Sequence, residues 1–162
     1  GESLDAKSMR DREAINRFCA FQLRGEQKYK GDMDVFLAKT LEQMNEMPTS
    51  ELDNLQEIFE RSMRANQHLF GEHAFRKSLV SPIERSRAPI NIALFDVCSV
   101  LLASLEETYM QQRAGKLRET LIKLLQHEEF NQAISISTGN TKQVHTRFRL
   151  ARAALEEMSH AD

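Results

Sequence analysis

Histidine, cysteine and carboxylate side chains could build a metal or nucleophilic site, but in this chain they are scattered. The histidines form no His-x-x-x-His pair and the two cysteines stand far apart: His68, His73, His127, His145, His160, Cys19 and Cys98. A metal site needs ligands that converge at suitable spacing. The sequence therefore predicts no metal site, with the histidines facing solvent.

Motifs for nucleotide binding or covalent catalysis are also missing. Ser135 and Ser137 lack the strand-turn-helix context of a nucleophile elbow, and the chain contains neither Gly-x-x-x-x-Gly-Lys nor Gly-x-Gly-x-x-Gly. We therefore expect no catalytic residue, no cofactor and no enzymatic activity from this chain. A site assembled from scattered polar residues is the remaining enzymatic alternative.

One carboxylate, Asp96, lies inside the most apolar segment of the chain, Ala88 to Leu105. A carboxylate in such surroundings must be paired, or its pKa shifts and it stays neutral. The sequence offers Arg17 or Arg147 as its partner. A structural ion pair is the favoured interpretation of Asp96 and Arg17, and a functional acid is the alternative.

A short turn before the last predicted helix is a candidate phosphate or carboxylate site. It consists of Thr138, Gly139, Asn140, Thr141 and Lys142. Exposed backbone N–H groups at a helix start attract anions, and hydroxyl and lysine donors lie nearby. The competing interpretation is ordinary N-capping by Asn140 or Thr138.

Basic residues form a stripe on the last predicted helix, opposite its apolar face. The stripe contains His145, Arg149 and Arg152 together with Lys142, and Arg147 lies on its border. It predicts contact with a nucleic-acid backbone or an acidic partner. The alternative is a solvated face that Glu156 and Glu157 balance locally.

The elements that position these residues are all predicted to be helices. The chain has 162 residues, of which 41% are hydrophobic and 28% charged, and its formal net charge is −2. This composition is that of a globular chain, and the charge disfavours a protein that coats nucleic acid through its overall field. We predict an all-α fold: a single helical-bundle domain of about six main helices around a buried central helix, residues 89–105.

Helix signals in the sequence set the expected boundaries. Ser8, Asp32 and Ser50 each precede a helical pattern, and Pro89 suits a first helical turn. Gly115 is expected to interrupt the chain after the central helix. We expect residues 1–7 to be a tag remnant or disordered lead-in, because the chain opens Gly-Glu-Ser without Met. Residues 8–159 would then form the domain.

Cysteine usage and hydropathy indicate a cytoplasmic protein without a membrane span. Two isolated cysteines do not make a disulfide framework, which favours a reducing compartment. The apolar run from Ile90 to Leu105 is shorter than the roughly 20 residues that a membrane crossing needs, and it includes polar Asn91, Asp96 and Ser99.

Five strings, in order, resemble one family. Asp11 to Phe21 resembles D-x-E-x-x-x-R-F-x-A-F, and Tyr29 to Leu37 resembles Y-x-G-x-M-x-x-F-L. Phe70 to Arg76 resembles F-G-x-x-A-F-R, and Asn91 to Asp96 resembles N-x-A-L-F-[DE]. Thr138 with Arg147-Phe148 resembles a closing T…R-F element. From Asp11 to Leu155 the chain thus resembles the helical part of the GmrSD-type restriction family.

This resemblance implies a supporting role. In that family, nucleotide-dependent DNA cleavage is associated with an N-terminal ParB-like domain and its Asp-Gly-Gln-Gln-Arg-type motif, which this chain lacks, as it lacks a His-Asn-His-type nuclease domain. The chain would be a non-catalytic scaffold or regulatory domain in phage defence. Its partners would be the missing ParB-like domain, DNA backbone or a second copy of itself.

The residues themselves also allow a different class of function, that of an adaptor that binds a partner protein. Four methionines keep helical spacing and could line a groove for a partner protein: Met33, Met44, Met47 and Met63. Methionine adapts to irregular surfaces, which suits a stand-alone helical adaptor. The same positions are also those of core residues, and the core interpretation is favoured.

Overall fold

Eight α-helices and three short 3₁₀ segments make up the described part of the chain. The computed structural model describes residues 2–81 and 86–161, with side chains from residue 10 onward. The helices are α1 (Glu2–Leu23), α2 (Met33–Asn45), α3 (Thr49–Phe70), α4 (Ile92–Ala103), α5 (Glu107–Gln112), α6 (Ala114–Gln126), α7 (Glu128–Ala133) and α8 (Thr141–His160). The 3₁₀ segments are Glu26–Lys28, Gly71–His73 and Lys77–Val80. No strand occurs in these residues, so the predicted all-α class is confirmed.

The predicted central helix is present as α4, which is buried on every side. All its residues from Ala93 to Ala103 are buried, and α4 packs against α1, α3 and α8. An apolar helix surrounded by one-sided helices gives the domain one continuous core. In the described residues, no helix is long and apolar enough to cross a bilayer.

The bounds of α4 correct the predicted range of 89–105. Asn91 is its N-cap, and the Asn91 Oδ1 accepts a hydrogen bond from Leu94 N at 2.9 Å. Pro89 therefore precedes the helix instead of occupying its first turn. At the other end, the Ser104 hydroxyl donates to the Leu101 carbonyl at 2.6 Å, and the helix ends at Ala103.

Other predicted boundaries are partly wrong. Helix α1 begins at Glu2, so residues 2–7 belong to a helix and Ser8 is not its N-cap; Gly1 lies outside the described residues. Pro48 occupies the N-cap position of α3, which leaves Ser50 in its first turn. Gly115 lies inside α6, and the interruption between α5 and α6 falls two residues earlier, at Arg113. Asp32 caps α2 as predicted, accepting from Val35 N at 3.1 Å.

Aromatic side chains fill the space between α1, α2 and α8. The Phe21 ring lies 5.1 Å from that of Phe36 and 5.0 Å from that of Phe148, measured between centroids. Tyr29 meets Phe36 edge-on at 5.4 Å. The methionines of the predicted groove are partly buried, and Met33, Met44 and Met63 pack against the core. The core interpretation of those three residues is therefore confirmed.

Candidate functional site

A buried charge network joins α1, α4 and α8 at the centre of the molecule. Asp96 in α4 is 0% exposed. Arg17 in α1 donates from Nε to Asp96 Oδ1 at 2.9 Å and from Nη2 to Oδ2 at 2.5 Å. Arg147 in α8 donates from Nη2 to the same Oδ2 at 3.1 Å. The predicted pairing of Asp96 is confirmed, and both candidate arginines form it.

Two buried guanidinium groups share one carboxylate in this network. Burial lowers the pKa of Arg17, but the charge and hydrogen bonds of Asp96, helped by Glu13, outweigh burial and leave that pKa raised. Burial lowers the pKa of Arg147, and repulsion from Arg17 adds to it, so the net shift is downward despite Asp96. The charge of Arg147 is therefore less well compensated than that of Arg17, and the Arg147 Nε has no hydrogen-bond partner.

The second function of Arg147 is to hold backbone. Its Nη1 donates to the Thr138 carbonyl at 2.7 Å and to the Ala133 carbonyl at 3.3 Å. The Ala133 carbonyl is at the end of α7 and the Thr138 carbonyl lies within the segment between α7 and α8. The positive charge that Asp96 leaves uncompensated is therefore directed at peptide dipoles there. The network thus extends from the core to one connecting loop.

That connecting loop, residues 134–140, is called here the anchored loop. The Tyr29 hydroxyl donates to the Gly139 carbonyl, and Asn91 Nδ2 donates to the Ile134 carbonyl at 2.8 Å. Ser137 has a φ of 49°, in the left-handed region that costs a non-glycine residue energy. Side chains from three different parts of the chain fix this loop, and they are able to hold such a conformation.

Exposed apolar side chains lie on and beside the anchored loop. Ile136 is 59% exposed and Ile90 is 54% exposed. The two lie on neighbouring segments, because Asn91 bonds to Ile134. Lys77 donates to the hydroxyl of Ser135, the neighbour of Ile136 in the anchored loop. We call Ile90, Ile136, Ser135 and Lys77 the loop face.

The predicted anion site at Thr138–Lys142 is organised chiefly by contacts within the protein. The carbonyls of Thr138 and Gly139 accept from Arg147 and Tyr29, as described above. Asn140 is the N-cap of α8, and its Oδ1 accepts from Lys142 N at 2.9 Å. Thr141 lies close to Gly31, whose φ is 95°. The capping interpretation of Asn140 is confirmed, and the Lys142 side chain is exposed.

The prediction of a basic stripe on α8 is wrong for one residue, Arg147, and most of the other side chains of the stripe have partners within the protein. Arg147 is 0% exposed, because Asp96 draws it into the core. His145 Nε2 lies 2.9 Å from the Glu26 carbonyl, and Arg152 forms an ion pair with the Glu26 carboxylate.

The remaining arginine of the stripe also has an acidic partner. Arg149 Nη2 lies 3.1 Å from Glu129 Oε1, and both side chains are more than half exposed. Exposed pairs of this kind contribute little to stability but offset the charge that would attract a phosphate backbone. Of the predicted stripe, Lys142 is left exposed with no ion pair to the described residues.

Glu26 and Tyr29 are site residues whose roles sequence reasoning missed. Glu26 is 6% exposed although it stands in a polar stretch. Its contacts come from α8, more than a hundred residues away. No local signal identifies it. Tyr29 was visible only as part of a family-like string.

Within the described residues, no group of three or more His, Cys, Asp or Glu side chains could hold a metal ion.

Comparison of the chain with protein-family models, curated proteins and solved structures gives no match.

Proposed function

We propose that this chain is the non-catalytic helical support domain of a GmrSD-like, nucleotide-dependent restriction protein that acts in the cytoplasm. One observation carries the proposal: residues from four of the five family-like strings meet in a single buried network and its anchored loop, and the third string contacts the start of α4 beside it. Each string alone supports the family resemblance only weakly, and the support is stronger when the fold brings their residues into contact.

The convergence involves residues that are far apart in sequence. The first string supplies Arg17, the fourth supplies Asp96, and the closing element supplies Arg147 and the Thr138 carbonyl. The second string supplies Tyr29, which holds Gly139. Residues that form one structural unit are expected to recur together in a family, because losing one leaves buried charge unpaired.

The third string joins the same unit through backbone and ring contacts. Asn91 N donates to the Phe75 carbonyl at 2.8 Å, and the Phe75 ring lies 4.9 Å from that of Phe95. Phe75 has a φ of 61°, which its neighbours must hold in place. This string therefore supports the start of α4, from which Asn91 reaches the anchored loop.

The loop face is the surface that we assign to the ParB-like domain of the same parent protein. It combines two isoleucines more than half exposed with a backbone that the network makes rigid. Apolar side chains on a pre-organised surface lose little entropy when a partner covers them. A support domain needs such a surface if it is to position a catalytic domain.

DNA contact through α8 receives less support. Arg147 is buried, and Glu26 and Glu129 offset the charges of Arg152 and Arg149. The adaptor alternative also receives less support, because three of the four methionines of its groove, Met33, Met44 and Met63, pack against the core.

Two experiments test the proposal: sequencing of the gene upstream of this chain, and a binding measurement between the two protein domains. The coding sequence upstream of Gly1 should encode a ParB-like domain with an Asp-Gly-Gln-Gln-Arg-type motif. That domain, expressed separately, should bind this chain in a titration followed by calorimetry. Ile136→Asp should weaken binding at least about tenfold, because it places a charge in an apolar contact.

Ile15→Asp is the matched control. Ile15 is 42% exposed on α1, about 200° around the helix from Arg17 and so on the side away from the network. The Ile15→Asp variant should bind the ParB-like domain as tightly as the unchanged chain does. An upstream sequence without a ParB-like domain would reject the restriction assignment and favour the adaptor. Equal effects of the two variants would reject the loop face as the interface.

A further inference from the structure

A cleft of about 540 Å³ lies between α3 and α5, apart from the charge network, the anchored loop and the loop face. Its apolar lining includes Leu69 and Met110, which are buried, and Ala65, which is half-buried. Its polar lining comes from both helices: Arg61, Arg64, Gln67, His68, Glu107 and Gln111. Clefts of this volume, with an apolar base and a few convergent polar groups, are typical of small-molecule sites.

Three basic side chains line the α3 side of the cleft at one helical face. Arg61, Arg64 and His68 are spaced i, i+3 and i+7, which places them one above another along the helix. Arg61 Nη2 donates to the Ala103 carbonyl at 2.7 Å, so the C-terminus of α4 fixes this guanidinium and leaves its other N–H groups available. The facing wall carries one acid, Glu107.

The arginines of this cleft have no ion pair with the described residues. Arg61 and Arg64 also line a smaller recess of about 340 Å³ beside Glu57 and Glu60. Neither acid lies within ion-pair distance of them, and Glu60 Oε1 accepts from Gln56 at 3.2 Å. Within the lining of the cleft itself, two guanidinium groups face one carboxylate, whereas Glu57 and Glu60 line the adjoining recess.

From this geometry we propose that the cleft binds the phosphate group of a small molecule. A guanidinium matches two phosphate oxygens with parallel N–H donors, and charge-assisted bonds of this kind are about twice as strong as neutral ones. Gln67 and Gln111 supply amide groups for the rest of the ligand, and Met110 and Leu69 supply an apolar floor. The inference does not rest on the proposed function.

The test is calorimetric titration of the whole chain with inorganic phosphate, pyrophosphate, AMP and adenosine. Saturable binding of at least one phosphate compound is expected, and adenosine should not bind. AMP tighter than phosphate would identify a phosphorylated organic ligand, whereas phosphate or pyrophosphate as tight as AMP would identify free phosphate; either result supports the site.

Variants locate the binding. Arg64→Gln should weaken it at least about tenfold by removing a charge-assisted contact. Glu107→Gln should tighten it severalfold by removing the opposing charge. Arg12→Gln, which removes an exposed arginine from α1, should change nothing, and the thermal unfolding of each variant checks that it folds.

Three results would overturn the inference. The first is that no phosphate compound binds at low ionic strength, and the second is that Arg64→Gln folds but leaves binding unchanged. The third is binding of duplex DNA with the same dependence on Arg64, which would assign the cations to a nucleic-acid surface instead.

Discussion

Removing the Asp96 carboxylate should destabilise the protein strongly. The side chain is 0% exposed and accepts three hydrogen bonds from two arginines. Asp96→Ala leaves the buried Arg147 guanidinium without an anion and leaves Arg17 with only the half-exposed Glu13, 3.7 Å away. Breaking a buried pair in this way costs about 3–5 kcal/mol, a large share of the roughly 5–15 kcal/mol by which domains are stable.

The assay is urea unfolding, followed by helix signal, with Glu42→Ala as the control. Glu42 is exposed on α2 and has no ion pair with the described residues, so its loss should cost less than about 0.5 kcal/mol. Asp96→Asn keeps the shape and one acceptor oxygen but removes the charge, and its cost should fall between the two.

A double-mutant cycle separates the network from simple loss of packing. Asp96→Ala and Arg147→Ala should together cost less than the sum of the single changes, with an interaction free energy of at least about 1 kcal/mol. Additive effects would show that the two side chains act independently. A small effect of Asp96→Ala, equal to that of Glu42→Ala, would refute the buried network altogether.

Three further outcomes are expected. In chemical denaturation, Arg152→Glu should cost about 2 kcal/mol because it faces the mostly buried Glu26, and Arg149→Glu, on an exposed pair, less than about 1 kcal/mol; equal costs would contradict the different burial. Burial raises the pKa of Cys98 to about 12. Its contribution to the free energy of unfolding is therefore complete below about pH 9, and it is lost by up to about 1.4 kcal/mol per pH unit as the pH rises from there towards 12. Cys98→Ala should flatten that part of the profile of stability against pH. Steady-state assays with divalent metal should show neither nucleotide hydrolysis nor DNA cleavage by the chain, and turnover that Lys142→Ala abolishes would reverse this expectation.

Periodicity and capping chemistry were sufficient to predict much of the fold. The all-round apolar pattern identified α4, and local side-chain chemistry identified Asp32 as a cap and narrowed the cap of α8 to Asn140 or Thr138, of which the structure has Asn140. Asp96 was recognised because a carboxylate within apolar surroundings demands a partner. The boundaries of α4 were less accurate, since Pro89 and Asn91 are both good start signals and only the contact of Asn91 with its surroundings decides between them.

The site depended on contacts that local patterns do not contain. Arg147 lies at the border of the apolar face of α8, where a long side chain can turn either way. It turns inward because Asp96, 51 residues earlier in the chain, lies opposite. Glu26 similarly becomes buried because His145, 119 residues later, contacts its backbone. Residue type was informative in both cases, whereas orientation was set by the tertiary fold.

The network is better understood as a positioning device than as a source of stability. Replacing a buried ion group with apolar residues of similar volume is often neutral or stabilising, so packing alone does not require Arg17, Asp96 and Arg147. A fully apolar cluster would, however, have no donor for the carbonyls of Ala133 and Thr138. Those carbonyls set the path of the anchored loop, and Ile136 projects from it. The charges therefore have their main consequence at the surface, because they fix the backbone of the loop that exposes Ile136.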